Sequence, residues 1–107
     1  MKRDTPLTCN MNVFTPEQRE DHIRTTTHLF EQVHSVQEVA HGYKFIFPSE
    51  AEIISKIAEF ISNERLCCPF LEFDLNVSTI DKPISLSLTG PAGTQEFLQE
   101  EFSGAFQ

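Results

Sequence analysis

Residues 71–77, Leu-Glu-Phe-Asp-Leu-Asn-Val, alternate apolar and polar side chains without interruption. A period of two predicts a β-strand with one apolar face and one face toward water. Residues 84–88, Ile-Ser-Leu-Ser-Leu, repeat the alternation after the turn sequence Asp81-Lys82-Pro83. The two stretches therefore predict a β-hairpin in which the polar residues of 71–77 point away from the core.

A helix is predicted directly before this hairpin. Ser49 and Glu52 have the spacing of a capping box, which marks a helix start. Pro69 disfavours helical geometry at the preceding residue, so the helix should end at the adjacent cysteines Cys67 and Cys68. Apolar residues that recur every three or four positions supply its buried face, namely Ile54, Ile57, Ala58 and Ile61, and this face is widened by Ile53 and Phe60.

A second hairpin and a last helix complete this half of the pattern. Residues 36–47 have strand-like composition on both sides of His41-Gly42. Histidine tolerates a left-handed backbone better than most residues and glycine adopts it freely, so these two residues should form the turn. A short helix should begin between Pro91 and Thr94.

The N-terminal third predicts one strand and one helix. Residues 7–13 alternate apolar and polar side chains, which indicates a strand whose inward face includes Cys9. Thr15 and Gln18 have capping-box spacing, so a helix should start there and run to about Val33.

The predicted order of elements is β-α-β-β-α-β-β-α, and its first six members match the ferredoxin-like split-βαβ pattern. We therefore predict an α+β fold with an antiparallel sheet, an extra C-terminal β-hairpin strand and a short last helix. A chain of 107 residues suits one domain, 1–107, with a single core. This fold hosts many unrelated functions, so it does not by itself predict an activity.

The charge balance argues against several classes of partner. There are 16 acidic and 8 basic residues, and the formal charge of -8 repels nucleic-acid phosphates and anionic membrane surfaces. The N-terminal residues contain no apolar run typical of a signal peptide or membrane span. We therefore expect a cytoplasmic protein with neither a nucleic-acid nor a membrane partner. Three cysteines, two of them adjacent, are a poor disulfide framework and are expected to be free thiols.

The chemistry is concentrated in residues 63–70, Asn-Glu-Arg-Leu-Cys-Cys-Pro-Phe. Glu64 precedes Cys67 and Cys68 by three and four residues, a helical spacing that brings its carboxylate near both thiols. Thiolates select soft ions, so the pair predicts a site for Hg(II), Cu(I), Zn(II) or As(III). A thioredoxin-like redox role is not favoured, because the negative end of the helix dipole and Glu64 both oppose a free thiolate. The alternative is that both cysteines are small buried core residues.

A third ligand could come from Cys9, Glu64 or a histidine. In the ferredoxin-like arrangement the helix ends where the first strand finishes, whereas Cys9 lies near that strand's beginning, about 13 Å away along the sheet. Cys9 is therefore a candidate ligand with a core position as its alternative. The histidines are expected to be solvated or locally bonded side chains instead of ligands, and they are His22, His28, His34 and His41.

Two segments also resemble a known family. Residues 64–70, Glu-Arg-Leu-Cys-Cys-Pro-Phe, and residues 88–93, Leu-Thr-Gly-Pro-Ala-Gly, are similar to a family of small uncharacterised bacterial proteins with an ERxCCPF...LTGPxG signature. The similarity extends to residues 8–10, so it spans most of the chain. Some relatives are similar to proteins from mercury or copper resistance neighbourhoods, which implies a soft metal and no particular mechanism.

The leading hypothesis is a cytoplasmic protein that binds a thiophilic metal or metalloid through Cys67 and Cys68, assisted by Cys9 or Glu64, without catalysing a reaction. One alternative is a small thiol-dependent enzyme in which a cysteine is the nucleophile or redox centre and Glu64 moves protons. A second alternative is a ligand-sensing or dimerising module with structural cysteines. In this alternative the partner could be a second copy of the chain in a homodimer. The partner is thus expected to be a metal ion or a small molecule, and a site thiol should be accessible or line a pocket.

Overall fold

The computed structural model describes residues 7–106. Residues 1–6 and Gln107 lie outside this range. Part of the prediction that no signal peptide is present rests on residues 1–6. Within the described range the α-helices are α1 (Pro16–Phe30), α2 (Ala51–Cys67) and α3 (Thr94–Glu101). The strands are β1 (Ser35–Val39), β2 (Gly42–Phe47), β3 (Glu72–Asn76) and β4 (Ile84–Thr89). Two short 3₁₀ helices span Met11–Val13 and Ser103–Phe106.

The four strands form one sheet in the order β1-β2-β4-β3, with every neighbouring pair antiparallel. The α+β class and the antiparallel sheet are confirmed, and the arrangement is compatible with a ferredoxin-like split-βαβ fold. Both predicted hairpins and the short last helix are present. None of the helices in residues 7–106 has the length and apolarity that a membrane crossing requires.

The predicted first strand is wrong. Residues 7–10 form no regular element, and Met11–Val13 form a 3₁₀ turn. The side chain of Asn10 accepts a hydrogen bond from the backbone N–H of Asn12 at 3.0 Å, which stabilises this turn. Val13 is 49% exposed, so it does not lie on the predicted inward face, whereas Cys9 and Met11 are partly buried.

The segment instead crosses the end of α2. The backbone N–H of Asn10 donates to the carbonyl oxygen of Cys67 at 2.7 Å. Cys9 and Met11 are partly buried against the core from this position. The residues that were expected to extend the sheet therefore cover the C-terminus of α2.

The two predicted capping boxes have opposite outcomes. In α1 the Thr15 hydroxyl accepts from Gln18 N at 3.2 Å and the Gln18 side chain accepts from Thr15 N at 2.9 Å, so this box is confirmed. The helix ends at Phe30 instead of Val33. The box predicted for α2 is wrong, because Glu50 is the N-cap residue and makes no side-chain cap. The Ser49 hydroxyl donates to the carbonyl of Ile80 at 2.6 Å instead.

The first hairpin is present, but its turn lies one residue earlier than predicted. Val39 pairs with Gly42, which leaves Ala40 and His41 as the turn residues. His41 adopts the predicted left-handed backbone, with φ 63°. Gly42 serves a different purpose, because a Cβ at this position would overlap the carbonyl oxygen of Leu88 on the neighbouring strand.

Aromatic side chains dominate the core between the helices and the sheet. The Phe30 ring of α1 contacts Phe60 of α2 at 5.2 Å, Phe45 of β2 at 5.1 Å and Phe102 at 4.4 Å between ring centroids. The fully buried residues of β4 lie on the same side, as alternation predicts. The polar residues of β3 are exposed, as predicted, and they are Glu72, Asp74 and Asn76.

Candidate metal centre

The cysteine pair lies at the C-terminal end of α2, as predicted. Cys67 is the last helical residue and Cys68 is the C-cap, whose backbone N–H donates to the Glu64 carbonyl at 2.8 Å. Pro69 follows at the position where helical geometry is disfavoured. Both cysteines are buried, Cys67 at 1% and Cys68 at 0% exposure.

Cys9 and Cys68 form a disulfide. Their Cα atoms are 4.4 Å apart although 59 positions separate them in the sequence. The predicted distance of about 13 Å is wrong, because it assumed that Cys9 lies within a strand of the sheet. The prediction of three free thiols is also wrong, and Cys67 is the free cysteine of the described residues.

Glu64 lies beside both cysteine sulfurs, as the helical spacing predicts. Its Oε2 is 3.4 Å from Cys68 Sγ, and its Oε1 is 3.7 Å from Cys67 Sγ. Because Cys68 is disulfide-bonded, Cys67 is the thiol that can donate a hydrogen bond to this carboxylate. Cys67 Sγ also lies 3.6 Å from Cys68 Sγ, so the carboxylate and both sulfurs form one buried cluster.

His22 of α1 belongs to the same cluster, although the sequence pattern did not predict it. Its Nε2 lies 2.8 Å from Glu64 Oε1, and the imidazole is buried against the rings of Phe14 and Phe60. Its Nδ1 is buried and has no hydrogen-bond partner among the described residues. The expectation of a solvated or locally bonded side chain is therefore wrong for His22, which is buried and bonded to a residue of another helix.

A signal for this position was present in the sequence. His22 precedes Thr25 by three residues and Leu29 by seven, so the three share one helical face. All three are buried in the structure. The other histidines are exposed, as expected.

Two overlapping groups of residues have the donor atoms and the spacing to hold a metal ion. One group is Cys9, Cys67 and Cys68, and the other is His22, Glu64 and Cys67. Within each group the ligand atoms all lie within 4.8 Å of one another. Of the predicted site residues, the structure brings all four together, namely Cys9, Glu64, Cys67 and Cys68.

A cavity of about 160 Å³ adjoins the cluster. Cys9, His22, Glu64 and Cys67 all contribute to its lining, as does Glu101 of α3. The expectation that a site thiol lines a pocket is therefore met by Cys67. An ion or small molecule has space to approach the cluster from this side.

The electrostatics of the cluster disfavour a free thiolate. Burial raises the pKa of Cys67 to about 12, and the negative charge of Glu64 and its hydrogen bond with the thiol add to the effect. Burial also raises the pKa of Glu101, with smaller contributions from Glu64 and Glu100. A cation would reverse the balance at Cys67, because a coordinating thiol is deprotonated by the ion itself.

The chain was compared with protein families, curated proteins and solved structures. No family model, curated protein or solved structure matches it. The resemblance to the small bacterial proteins with the ERxCCPF...LTGPxG signature therefore stays a prediction, and the function has to be inferred from the geometry of the site.

Proposed function

We propose that the reduced form of this protein binds a thiophilic metal or metalloid through the sulfurs of Cys9, Cys67 and Cys68. The observation that carries the proposal is that these three sulfurs lie within 4.8 Å of one another at one end of α2. Two sulfurs bound to the same ion at about 2.3 Å are at most about 4.6 Å apart, so a small adjustment suffices to surround an ion.

The Cys9–Cys68 disulfide must be opened before all three sulfurs can act as ligands. Reduction consumes two electrons and two protons and yields two thiols, and an external dithiol supplies both as it is itself oxidised to a disulfide. Cys67 is already a free thiol in the structure. The proposed binding state is therefore the fully reduced chain.

The surroundings of the sulfurs favour a ligand that removes thiol protons without adding negative charge. Glu64 and Glu101 lie beside the thiols, and their charge opposes a cluster of free thiolates. Arsenous acid, As(OH)₃, meets this condition, because each thiol proton leaves with one hydroxide as water. The products are one neutral As(III) trithiolate and three water molecules. Hg(II) and Cu(I) are the alternative soft ions, and each displaces thiol protons into solvent.

Glu64 has a defined part in this proposal. Its two carboxylate oxygens lie within 3.7 Å of Cys67 Sγ and Cys68 Sγ, so it can accept a proton from either thiol while the ion binds. His22 holds the carboxylate in place through the 2.8 Å contact with Oε1. Glu64 thus assists binding as a proton acceptor beside the sulfur ligands.

The hypothesis of a thiol-dependent enzyme has less support from the same residues. A nucleophilic cysteine needs a depressed pKa, whereas that of Cys67 is raised to about 12. The negative end of α2 points toward the sulfurs and adds no stabilisation to a thiolate. These features support capture of an ion over covalent catalysis.

The test is arsenite binding by the chain reduced with an excess of dithiol and then freed of reductant under anaerobic conditions. We expect one arsenite per chain by calorimetry, and loss of binding in the Cys67→Ser/Cys68→Ser variant. The Ser62→Ala variant, altered at an exposed position of α2, should bind as the wild type does. Equal affinity of the wild type and the double-serine variant, both folded by circular dichroism, would contradict the proposal.

A further inference from the structure

The geometry points to a second metal site, formed by His22, Glu64 and Cys67, for a divalent ion of the zinc class. This site uses none of the atoms of the Cys9–Cys68 disulfide, so it exists in the oxidised chain described here. It therefore goes beyond the three-thiol site of the reduced protein, with which it shares Cys67 as its one common ligand.

The distances fit a single ion. The ligand atoms of the three residues lie within 4.8 Å of one another, with His22 Nε2 2.8 Å from Glu64 Oε1 and Cys67 Sγ 3.7 Å from the same oxygen. Zinc binds imidazole nitrogen and carboxylate oxygen at about 2.0–2.2 Å and thiolate sulfur at about 2.3 Å. Ligands at these lengths are about 3–4 Å apart around one ion, so the side chains need little movement.

The backbone elements hold the three ligands rigidly. Glu64 and Cys67 occupy one turn of α2, and His22 comes from the facing turn of α1. All three are at least nine-tenths buried, with exposures of 4% for His22, 5% for Glu64 and 1% for Cys67. Flanking Phe14 and Phe60 rings restrict the imidazole. A metal centre built on packed helices keeps its geometry without the ion.

Two features indicate that protein atoms leave the cluster incompletely satisfied. The imidazole of His22 has one hydrogen bond, to Glu64, and its buried Nδ1 has no partner among residues 7–106. In addition, no lysine or arginine contacts the buried Glu64 carboxylate in this part of the chain. A divalent cation would supply the positive charge that no lysine or arginine of residues 7–106 brings to this buried carboxylate.

The donor set selects the class of ion. One nitrogen, one oxygen and one sulfur suit zinc and its neighbours, whereas calcium and magnesium require six or more oxygen ligands. The cavity of about 160 Å³ touches all three residues, so a fourth ligand from solvent has room there. Three protein ligands with one open position are typical of zinc sites that bind a further molecule.

The disulfide defines which site is complete. In the oxidised chain Cys9 and Cys68 cannot act as thiolate ligands, and the nitrogen, oxygen and sulfur group remains. In the reduced chain the two extra thiols compete for the same region with softer ions. The oxidation state of two sulfurs thus selects between a borderline ion and a soft one.

The experiment uses Co(II) as a spectroscopic probe of the zinc class, followed by displacement with Zn(II). It is performed on the oxidised wild type and on Cys9→Ser/Cys68→Ser, which contains neither the disulfide nor the three-thiol site. We expect visible bands of four-coordinate Co(II) and a near-ultraviolet sulfur-to-cobalt band in both proteins. Changing Cys67 to Ser should remove the sulfur band, and His22→Gln or Glu64→Gln should weaken binding roughly tenfold or more.

The matched control is His28→Gln, which changes an exposed histidine of the same helix and should leave the spectrum unchanged. Thermal melts identify any variant that fails to fold. If the His22 or Glu64 variant does not fold, Cys67→Ser still tests the inference, because it is a smaller change. A Co(II) spectrum without the sulfur band in the oxidised wild type would overturn the inference. Arsenite binding by the reduced protein is measured separately, so either site can fail while the other stands.

Discussion

His22 and Glu64 are 42 residues apart in the sequence, and their side chains meet at 2.8 Å inside the core. This contact joins α1 to α2 at the level of the cysteine sulfurs. Both residues are buried, with exposures of 4% for His22 and 5% for Glu64. The pair therefore fixes the carboxylate that faces the sulfurs, and its loss should affect both folding and the site.

The His22–Glu64 contact should behave as a coupled buried pair. His22→Leu and Glu64→Leu should each lower the free energy of unfolding by about 3 kcal/mol, because each leaves a buried polar partner unsatisfied. The double variant should cost clearly less than the sum of the two. Urea denaturation of all four proteins gives the coupling energy.

The exposed pair Asp21–Arg24 on the same helix is the control for this cycle. Its coupling energy should be below about 1 kcal/mol, as for other solvent-exposed ion pairs. Additive effects for His22 and Glu64, within about 0.5 kcal/mol, would contradict the coupling.

The stability of the chain should fall as the pH rises from 9 to 12, because the pKa of Cys67 is raised from its ordinary 9.0 to about 12 in the folded state. Below this window the thiol is protonated in both states and contributes no pH dependence. Within the window the unfolded chain releases the proton while the folded chain retains it, which favours unfolding. Thermal midpoints of Cys9→Ser/Cys68→Ser measure this without disulfide exchange.

Replacing Cys67 with serine in that background should remove this part of the alkaline loss. Glu64→Gln should make the loss smaller, since the charge of Glu64 is one cause of the raised pKa. An alkaline profile unaffected by either change would show that Cys67 does not control it.

Reduction of the Cys9–Cys68 disulfide should destabilise the protein. The bond links residues 59 positions apart, and a loop of this length corresponds to about 4 kcal/mol in the chain-entropy account. Cys9→Ser should match the reduced wild type and respond no further to dithiol. Cys67→Ser should keep the full response, and its insensitivity would indicate that a different pair of cysteines is bonded.

Gly42→Ala should destabilise the sheet, because the added Cβ would overlap the carbonyl oxygen of Leu88 in the neighbouring strand. The expected cost is about 1–3 kcal/mol, as for other overpacked positions. Gly104→Ala is the matched control, since no atom lies within 4 Å of a Cβ at that position. Similar denaturation midpoints for the two variants would argue against the close contact.

Local signals in the sequence were sufficient for most of the fold. The alternation in 71–77 and 84–88 gave the second hairpin, and the Thr15–Gln18 capping box gave the start of α1. The Ser49–Glu52 box failed because the Ser49 hydroxyl bonds instead to Ile80, a contact 31 positions away. Propensity describes what neighbours can do locally, and a tertiary partner can outcompete it.

The site was predicted in part, because local spacing is visible in the sequence whereas tertiary contacts are not. Glu64, Cys67 and Cys68 occupy one helical turn, so their proximity follows from spacing alone. Cys9 and His22 join through tertiary packing. The alternation in 7–13 resembled a strand, yet the side chain of Asn10 stabilises a turn, and Cys9 lies against Cys68.

The backbone hydrogen bond from Asn10 to Cys67 has a kinetic consequence. Among residues 7–106, it is the hydrogen bond and the disulfide is the covalent bond that join residues 7–14 to the sulfur end of α2. Once the disulfide is opened, this 2.7 Å hydrogen bond and side-chain packing hold the segment, while Cys9 and Met11 still line the cavity. Detachment of residues 7–14 would then widen the entrance of the cavity. We therefore expect the rate of ion binding to follow the rate of hydrogen exchange at the Asn10 amide.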